Sequence, residues 1–181
     1  MKIAPPRGRV SVARDQQDRV QAWSNHLGRK LPADYRTFLI RYDGGSPYPN
    51  IFDEVTPDAV RRGPDTQAFC DVIYDLDYAR SETDGATYGN AVPSGFIPIA
   101  QDPGGLEILL SLRDADFGHV FLWQGTTEPW GSEGNNENRL FRQASSFVAF
   151  LDSLYDTPDK IGYDQWATPW RVENAVELKL D

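Results

Sequence analysis

Residues 31–45 contain a complete short helix together with its start and stop signals. Pro32 suits the first helical turn, because its fixed φ is already helical and its missing N–H costs nothing there. At helical spacing, one face carries four large side chains: Tyr35, Phe38, Leu39 and Tyr42. Gly44 and Gly45 tolerate positive φ, so the helix is expected to stop there. Such a face must be covered by other elements, which predicts a packed core.

The composition indicates a folded protein in a reducing compartment. Of the 181 residues, 40% are hydrophobic and 12% aromatic, well above the content of disordered chains. This length predicts a single domain over residues 1–181. Cys70 is the only cysteine, Met1–Pro6 lacks the apolar run of a signal peptide, and no stretch reaches transmembrane length. We therefore expect a cytoplasmic protein with no membrane partner.

The charge is acidic overall and unevenly distributed. The net charge of −9 argues against a nucleic-acid partner, because phosphate binding needs clustered Lys and Arg. Residues 1–42 hold nine Lys or Arg against three Asp or Glu, a net +6; residues 43–181 hold nine against twenty-four, a net −15. Acidic solubility alone explains a negative charge, but the segregation also favours an electrostatic surface for a protein partner.

Apolar periodicity predicts the order of the remaining elements. A helix over Arg14–Leu27 precedes the one at residue 31, and a last helix begins at Ser145 or Ser146 with Phe147, Phe150, Leu151 and Leu154 on one face. Strands are predicted within 51–55, 69–76, 96–100, 106–112 and 120–123, of which 106–112 is apolar on both faces and therefore central. Residues 81–95 are predicted as loop and the tail is expected to pack back. The fold class is α+β: one domain with a mainly antiparallel sheet, an N-terminal helix pair and a C-terminal helix packed on it.

Few residues have the spacing of a catalytic or metal site. His26 lies at a helix C-terminus and His119 in a hairpin loop, and with one cysteine the chain cannot build a zinc site of the Cys/His type. Cys70 is more typical of a small buried residue than of a nucleophile. Asp-x-Asp pairs at 75–77 and 114–116 lack the later ligands of a calcium loop. We expect no cofactor, no metal and no catalytic residue.

Four segments in this order resemble the SUKH superfamily, which includes the yeast cell-wall assembly regulator of the Smi/Knr type and many bacterial toxin-immunity proteins. They are Leu27-Gly28 with Leu31–Gly45, Phe96–Ala100 with its following turn, Val120–Trp123, and Ala144–Leu154. The resemblance covers about residues 12–155 and leaves 156–181 as a C-terminal extension. Asp43 replaces a common Asn and Gln124 a common His. Residues 46–95 match no pattern of the family.

The resemblance implies a non-enzymatic protein-binding domain, most often an immunity protein that neutralises a cognate toxin. Two alternatives stay open: an intracellular regulator or scaffold of the same fold, and an enzyme that uses carboxylates. The sequence does not define the oligomeric state.

The variable, acidic part of the chain is the predicted partner surface. Residues 53–84 hold nine Asp or Glu against three Arg, a net −6, which would steer the protein onto a toxin with a basic surface. Trp130, an aromatic residue in a polar loop, is the predicted apolar anchor, although it could equally fold under its own loop. The candidate partner-binding residues are Asp71, Asp75, Asp77, Glu82, Asp84, Glu128, Trp130 and Glu133. The alternative is that these carboxylates only keep the protein soluble.

Overall fold

The N-terminal helix pair is present in the computed structural model, which describes residues 1–9, 11–56, 67–88, 91–123 and 137–180. Helix α1 spans Gln16–Leu27 and ends at Gly28, whose φ is 63°. Helix α2 spans Ala33–Arg41. The predicted stop after it is confirmed, because Asp43, Gly44 and Gly45 have φ values of 51°, 88° and 141°.

The strands form antiparallel sheets. Their bounds are β1 (Lys2–Ala4), β2 (Ser46–Tyr48), β3 (Ile51–Asp53), β4 (Gln67–Phe69), β5 (Val72–Ile73), β6 (Phe96–Gln101), β7 (Glu107–Ser111), β8 (Val120–Trp123), β9 (Leu140–Ala144) and β10 (Val176–Glu177). The main sheet has the order β5-β6-β7-β8-β9, a second has β10-β1-β2, and β3 pairs with β4. Gly45 and Ile73 exchange backbone hydrogen bonds of 2.9 and 2.8 Å, which join β5 to the segment that leads into β2.

The central position of β7 follows from its composition, as predicted. All five of its residues are buried, and its two faces contribute to separate apolar clusters. On one face, Ile108 and Leu110 pack in the main core with α2 and with helix α4 (Phe147–Asp152). On the other, Leu109 packs with Phe96, Tyr88, Phe121 and Trp123.

Helix α2 reaches the C-terminal helix α4 through aromatic contacts. The Phe147 ring lies 5.2 Å from both Tyr35 and Phe38, edge to face in each case. Ser146 caps α4, since its hydroxyl accepts a 3.0 Å hydrogen bond from the Ala149 N–H. The predicted apolar faces of both helices are therefore buried, except that Tyr42 is only partly buried, and the fold is the expected α+β domain.

The structure corrects the prediction for residues 69–95. In place of one strand over 69–76 there are the short strands β4 and β5, and helix α3 (Leu76–Thr83) occupies the start of the predicted loop. The cause is local, because the Asp75 carboxylate accepts a 2.8 Å hydrogen bond from the Tyr78 N–H and thereby caps a helix. Leu76 and Ala79, three residues apart, then lie on the buried face of that helix.

The two termini form a single addition at one edge of the fold. Helices α5 (Ile161–Trp166) and α6 (Pro169–Asn174) lead into β10, which pairs antiparallel with β1. Trp166 Nε1 donates to the Ser46 carbonyl and Trp170 Nε1 to the Pro5 carbonyl, each at 3.1 Å. The tail thus packs back on the domain, as predicted, and it does so against a strand formed by Lys2–Ala4.

Candidate functional site

The N-terminus of α3 is fixed to the end of α2 by an Arg–carboxylate bridge. Arg9 Nη1 lies 2.6 Å from Asp43 Oδ2 and Arg9 Nη2 lies 2.9 Å from Asp75 Oδ2. The other Asp43 oxygen accepts a 2.9 Å hydrogen bond from the Leu76 N–H. Burial raises the pKa of Asp43, while the Leu76 N–H and the Arg9 charge lower it. Asp75, a predicted partner residue, therefore has a structural role in placing α3.

The exposed side of α3 carries two of the other predicted carboxylates. The side chains of Asp77 and Asp84 are 66% and 59% exposed, and seven residues apart they lie on one face of the helix. Arg19 Nη2 contacts Asp77 Oδ1 at 2.6 Å, and His26 Nε2 lies 3.8 Å from Asp84 Oδ1. Basic side chains from the N-terminal part of the sequence thus lie next to acidic side chains of the later part, where α1 meets α3. Exposed pairs of this kind are weak, so these two carboxylates stay accessible to a partner.

The remaining described candidates lie away from that face. Asp71 pairs with Arg171 Nη2 at 3.0 Å, beside a groove of about 620 Å³ between the N-terminal segment and α6. Glu82 is only 3% exposed, so its carboxylate faces the interior rather than a partner. Its Oε1 accepts a 2.9 Å hydrogen bond from Thr87, and among the described residues its Oε2 has no partner.

Three predicted contact residues, Glu128, Trp130 and Glu133, lie outside the described residues. Their part in a partner surface stays a prediction.

A second buried carboxylate, Glu107, was not singled out from the sequence. It is 2% exposed at the start of β7. Its Oε1 accepts hydrogen bonds from the hydroxyls of Tyr88 at 2.5 Å and Tyr74 at 2.9 Å. Burial raises the pKa of Glu107 to about 7; the two tyrosine hydrogen bonds lower it, and the charge of Glu82 raises it further. The sequence signal was available, because Glu107 is the one ionisable residue within the apolar stretch 106–112.

The Glu107 environment is aromatic and polar at once. Tyr74 and Tyr78 stack obliquely with their ring centroids 4.4 Å apart, and Tyr88 packs edge to face on Trp123 at 5.4 Å. Burial and the Glu107 charge raise the pKa values of Tyr74 and Tyr88, which keeps both hydroxyls as donors. Tyr74 and Tyr88 therefore hold an interior carboxyl at the start of β7.

Two classes of site are not found in the part of the chain that the structure describes. Within it, no three or more His, Cys, Asp or Glu residues are grouped as metal ligands. None of its helices combines the length and apolarity that crossing a bilayer requires.

Comparison with known proteins gives a family and one relative. The model of the SMI1 / KNR4 family (SUKH-1) matches residues 16–153. An SPbeta prophage-derived uncharacterized protein, YokK of Bacillus subtilis (strain 168), is 29% identical over 147 residues, covering 74% of this chain and 71% of the relative. Strands β1 and β10 and helices α5 and α6 fall outside the family match.

Proposed function

Since the chain belongs to the SMI1 / KNR4 (SUKH-1) family, we propose that it is an immunity-type protein that binds and neutralises a cognate protein toxin. The toxin would present a basic surface to the exposed face of α3. The observation that carries this proposal is the pair Asp77 and Asp84, more than half exposed on one helix face. The family is generally non-enzymatic, and we propose the same of this chain, acting in the cytoplasm.

The scaffold beneath α3 suits a binding surface. Arg9 bridges the Asp43 and Asp75 carboxylates, and Leu76 and Ala79 anchor the opposite face of the helix in the core. A helix held at both its cap and its buried face pays little entropy on binding, which favours affinity. The net charge of −9 would accelerate encounter with a cationic toxin.

Charge and packing are expected to affect different rate constants of binding. Exposed carboxylates mainly raise the association rate, because they act at a distance through water. A buried aromatic residue mainly slows dissociation, and Trp130 is the sequence-predicted anchor for that role. Salt should therefore weaken association through the carboxylates more than it affects dissociation.

A regulator or scaffold of the same fold is the second candidate, because the superfamily that the sequence resembles includes a yeast cell-wall assembly regulator of the Smi/Knr type. A toxin gene next to the gene for this chain would favour immunity. Genes for cell-envelope or signalling proteins in that position would favour regulation.

The proposal is tested by co-expressing the chain with the toxin encoded beside it and measuring binding kinetics in low and high salt. The variant Asp77→Lys with Asp84→Lys should slow association about tenfold at low salt and flatten its salt dependence. Its charge-matched control is Asp114→Lys with Glu173→Lys, since both side chains are exposed outside α3. Trp130→Ala should speed dissociation.

Equal effects of the two double variants, or an affinity indifferent to salt, would overturn the acidic-surface proposal. Circular dichroism and melting temperatures check that each variant is folded, because Asp77→Lys places a cation opposite Arg19.

A further inference from the structure

We propose that the pocket beside Tyr74 and Tyr78 receives one Lys or Arg side chain from the bound protein partner. This rests on the proposed function only in taking the partner to be a protein. The pocket has a volume of about 200 Å³ and is lined by Pro6, Val72, Ile73, Tyr74, Asp75, Tyr78 and Gln101. It is smaller than the usual site for a small-molecule ligand, so a single side chain is the fitting occupant.

The walls of the pocket suit the stem and head of a cationic side chain. Pro6, Val72 and Ile73 are apolar, which fits the methylene stem. The two tyrosines, whose ring centroids lie 4.4 Å apart, contribute aromatic surface to the lining, and aromatic rings attract ammonium and guanidinium groups. Tyr78 is 44% exposed and so stands at the entrance. The lining includes Asp75, whose carboxylate contacts Arg9 Nη2 at 2.9 Å, and Arg9 itself is not part of the lining.

Two further carboxylates are buried outside the pocket lining. Glu82 and Glu107 are 3% and 2% exposed, and within the described chain Glu82 Oε2 has no hydrogen-bond partner. The other charge that acts on Glu107 is Asp102, also acidic. Buried carboxylates without a cation are costly, so an entering cation would offset a cost already present in the fold.

Helix α3 places the pocket and Glu82 on one side. Tyr78, which lines the pocket, and the buried Glu82 are four residues apart in α3 and are therefore neighbours on the helix surface, while Asp75 is the residue that caps the helix. The Tyr74 hydroxyl, 2.9 Å from Glu107 Oε1 and 2.9 Å from Gln101 Oε1, links the pocket lining to the interior carboxyl.

The hydrogen bonds of Tyr74 connect the pocket to the protonation state of Glu107. The Tyr74 hydroxyl has one hydrogen and cannot donate to Glu107 and Gln101 together. This is resolved if the Gln101 amide is turned so that its NH2 donates to the Tyr74 oxygen, while the Tyr74 hydroxyl donates to Glu107. A cation in the pocket favours the ionised form of Glu107, whose pKa burial raises to about 7, so cation binding should release a proton and strengthen from pH 6 to pH 8.

The test uses the full chain, isotope-labelled, titrated with n-butylguanidinium as a mimic of the Arg side chain and with n-butylurea as its neutral isostere. NMR should show saturable shifts of Tyr74, Tyr78 and the Glu107 carboxyl, with about tenfold preference for the cation. The preference should fall in Glu107→Gln and, independently, in Tyr78→Ala. Asp114→Asn, an exposed carboxyl in the turn after β7, is the matched control.

Equal binding of the cation and its neutral isostere, or NMR shifts confined to other surfaces, would overturn the proposal that this pocket binds a cationic side chain. Calcium ions that cause the same shifts at lower concentration would overturn it in favour of a metal site. The immunity proposal is tested separately, because it fails only if the cognate toxin does not bind. If the toxin binds Glu107→Gln and Tyr78→Ala as tightly as the wild type, the immunity proposal is retained and the proposal that this pocket binds the toxin is rejected.

Discussion

Replacing Glu107 by glutamine should change how stability depends on pH. The side chain is 2% exposed and its pKa is raised to about 7 by burial. The folded protein therefore holds a proton that the unfolded chain releases near the ordinary value of 4.5. The stability from this group is complete below that ordinary pKa, falls as pH rises toward 7, and is lost above it.

The size of the effect follows from the shift. A displacement from 4.5 to about 7 corresponds to about 3 kcal/mol of unfolding free energy, at about 1.4 kcal/mol for each pKa unit. For a chain of this length, that amounts to roughly 6–12 °C in melting temperature. Glutamine removes the titration and can still donate to Tyr74 and accept from Tyr88, whose hydroxyls already contact Glu107.

The assay compares thermal unfolding of wild type and Glu107→Gln from pH 5 to pH 8. The difference in melting temperature, variant minus wild type, should rise across this range and level off at its upper end. Taking the difference cancels the other titrating groups common to both proteins. Parallel profiles over the whole range would refute the interpretation of Glu107 as a protonated interior carboxyl.

The remaining predictions concern backbone and core. Gly44→Ala should destabilise more than Gly105→Ala in chemical denaturation: both have φ near 80–90°, but an added Cβ would meet the Asp75 backbone at 2.6 Å in the first and nothing within 4 Å in the second. Equal losses would show that the contact between α2 and α3 can relax. Phe38→Ala should cost about 3–5 kcal/mol, whereas Phe117→Ala, at a side chain 46% exposed, should cost little; similar costs would contradict the assigned core.

Local signals in the sequence predicted those elements that depend on neighbours in the chain. The stop after α2 follows from Gly44 and Gly45, and the burial of β7 from its three consecutive apolar residues, 108–110. The pairing of Lys2–Ala4 with Val176–Glu177 has no local signal, since it depends on residues from opposite ends of the chain. Helix α3 did have a local signal, in the capping residue Asp75 and in the spacing of Leu76 and Ala79. The strand-like alternation of side chains from Phe69 onward concealed that signal.

For the candidate site, the sequence predicted exposed carboxylates better than buried ones. Asp77 and Asp84 are exposed, because exposed charge can be anticipated from composition, and their part in a partner surface stays a prediction. The inward orientation of Glu82 could not be anticipated from the sequence, because it depends on how α3 packs against the sheet. The bridge from Arg9 to Asp43 and Asp75 was also inaccessible, because it joins three distant segments.

The pairing of β1 with β10 has a consequence for synthesis on the ribosome. β1 is synthesised before β2, with which it can pair some forty residues later, but its other edge stays open until Val176 and Glu177 emerge. At ordinary translation rates that delay is on the order of ten seconds. An open strand edge invites pairing with another nascent chain, and the exposed charge of Lys2 on that strand opposes it. Neutralising Lys2 should therefore lower the yield of newly made protein more than it lowers the stability of the finished one.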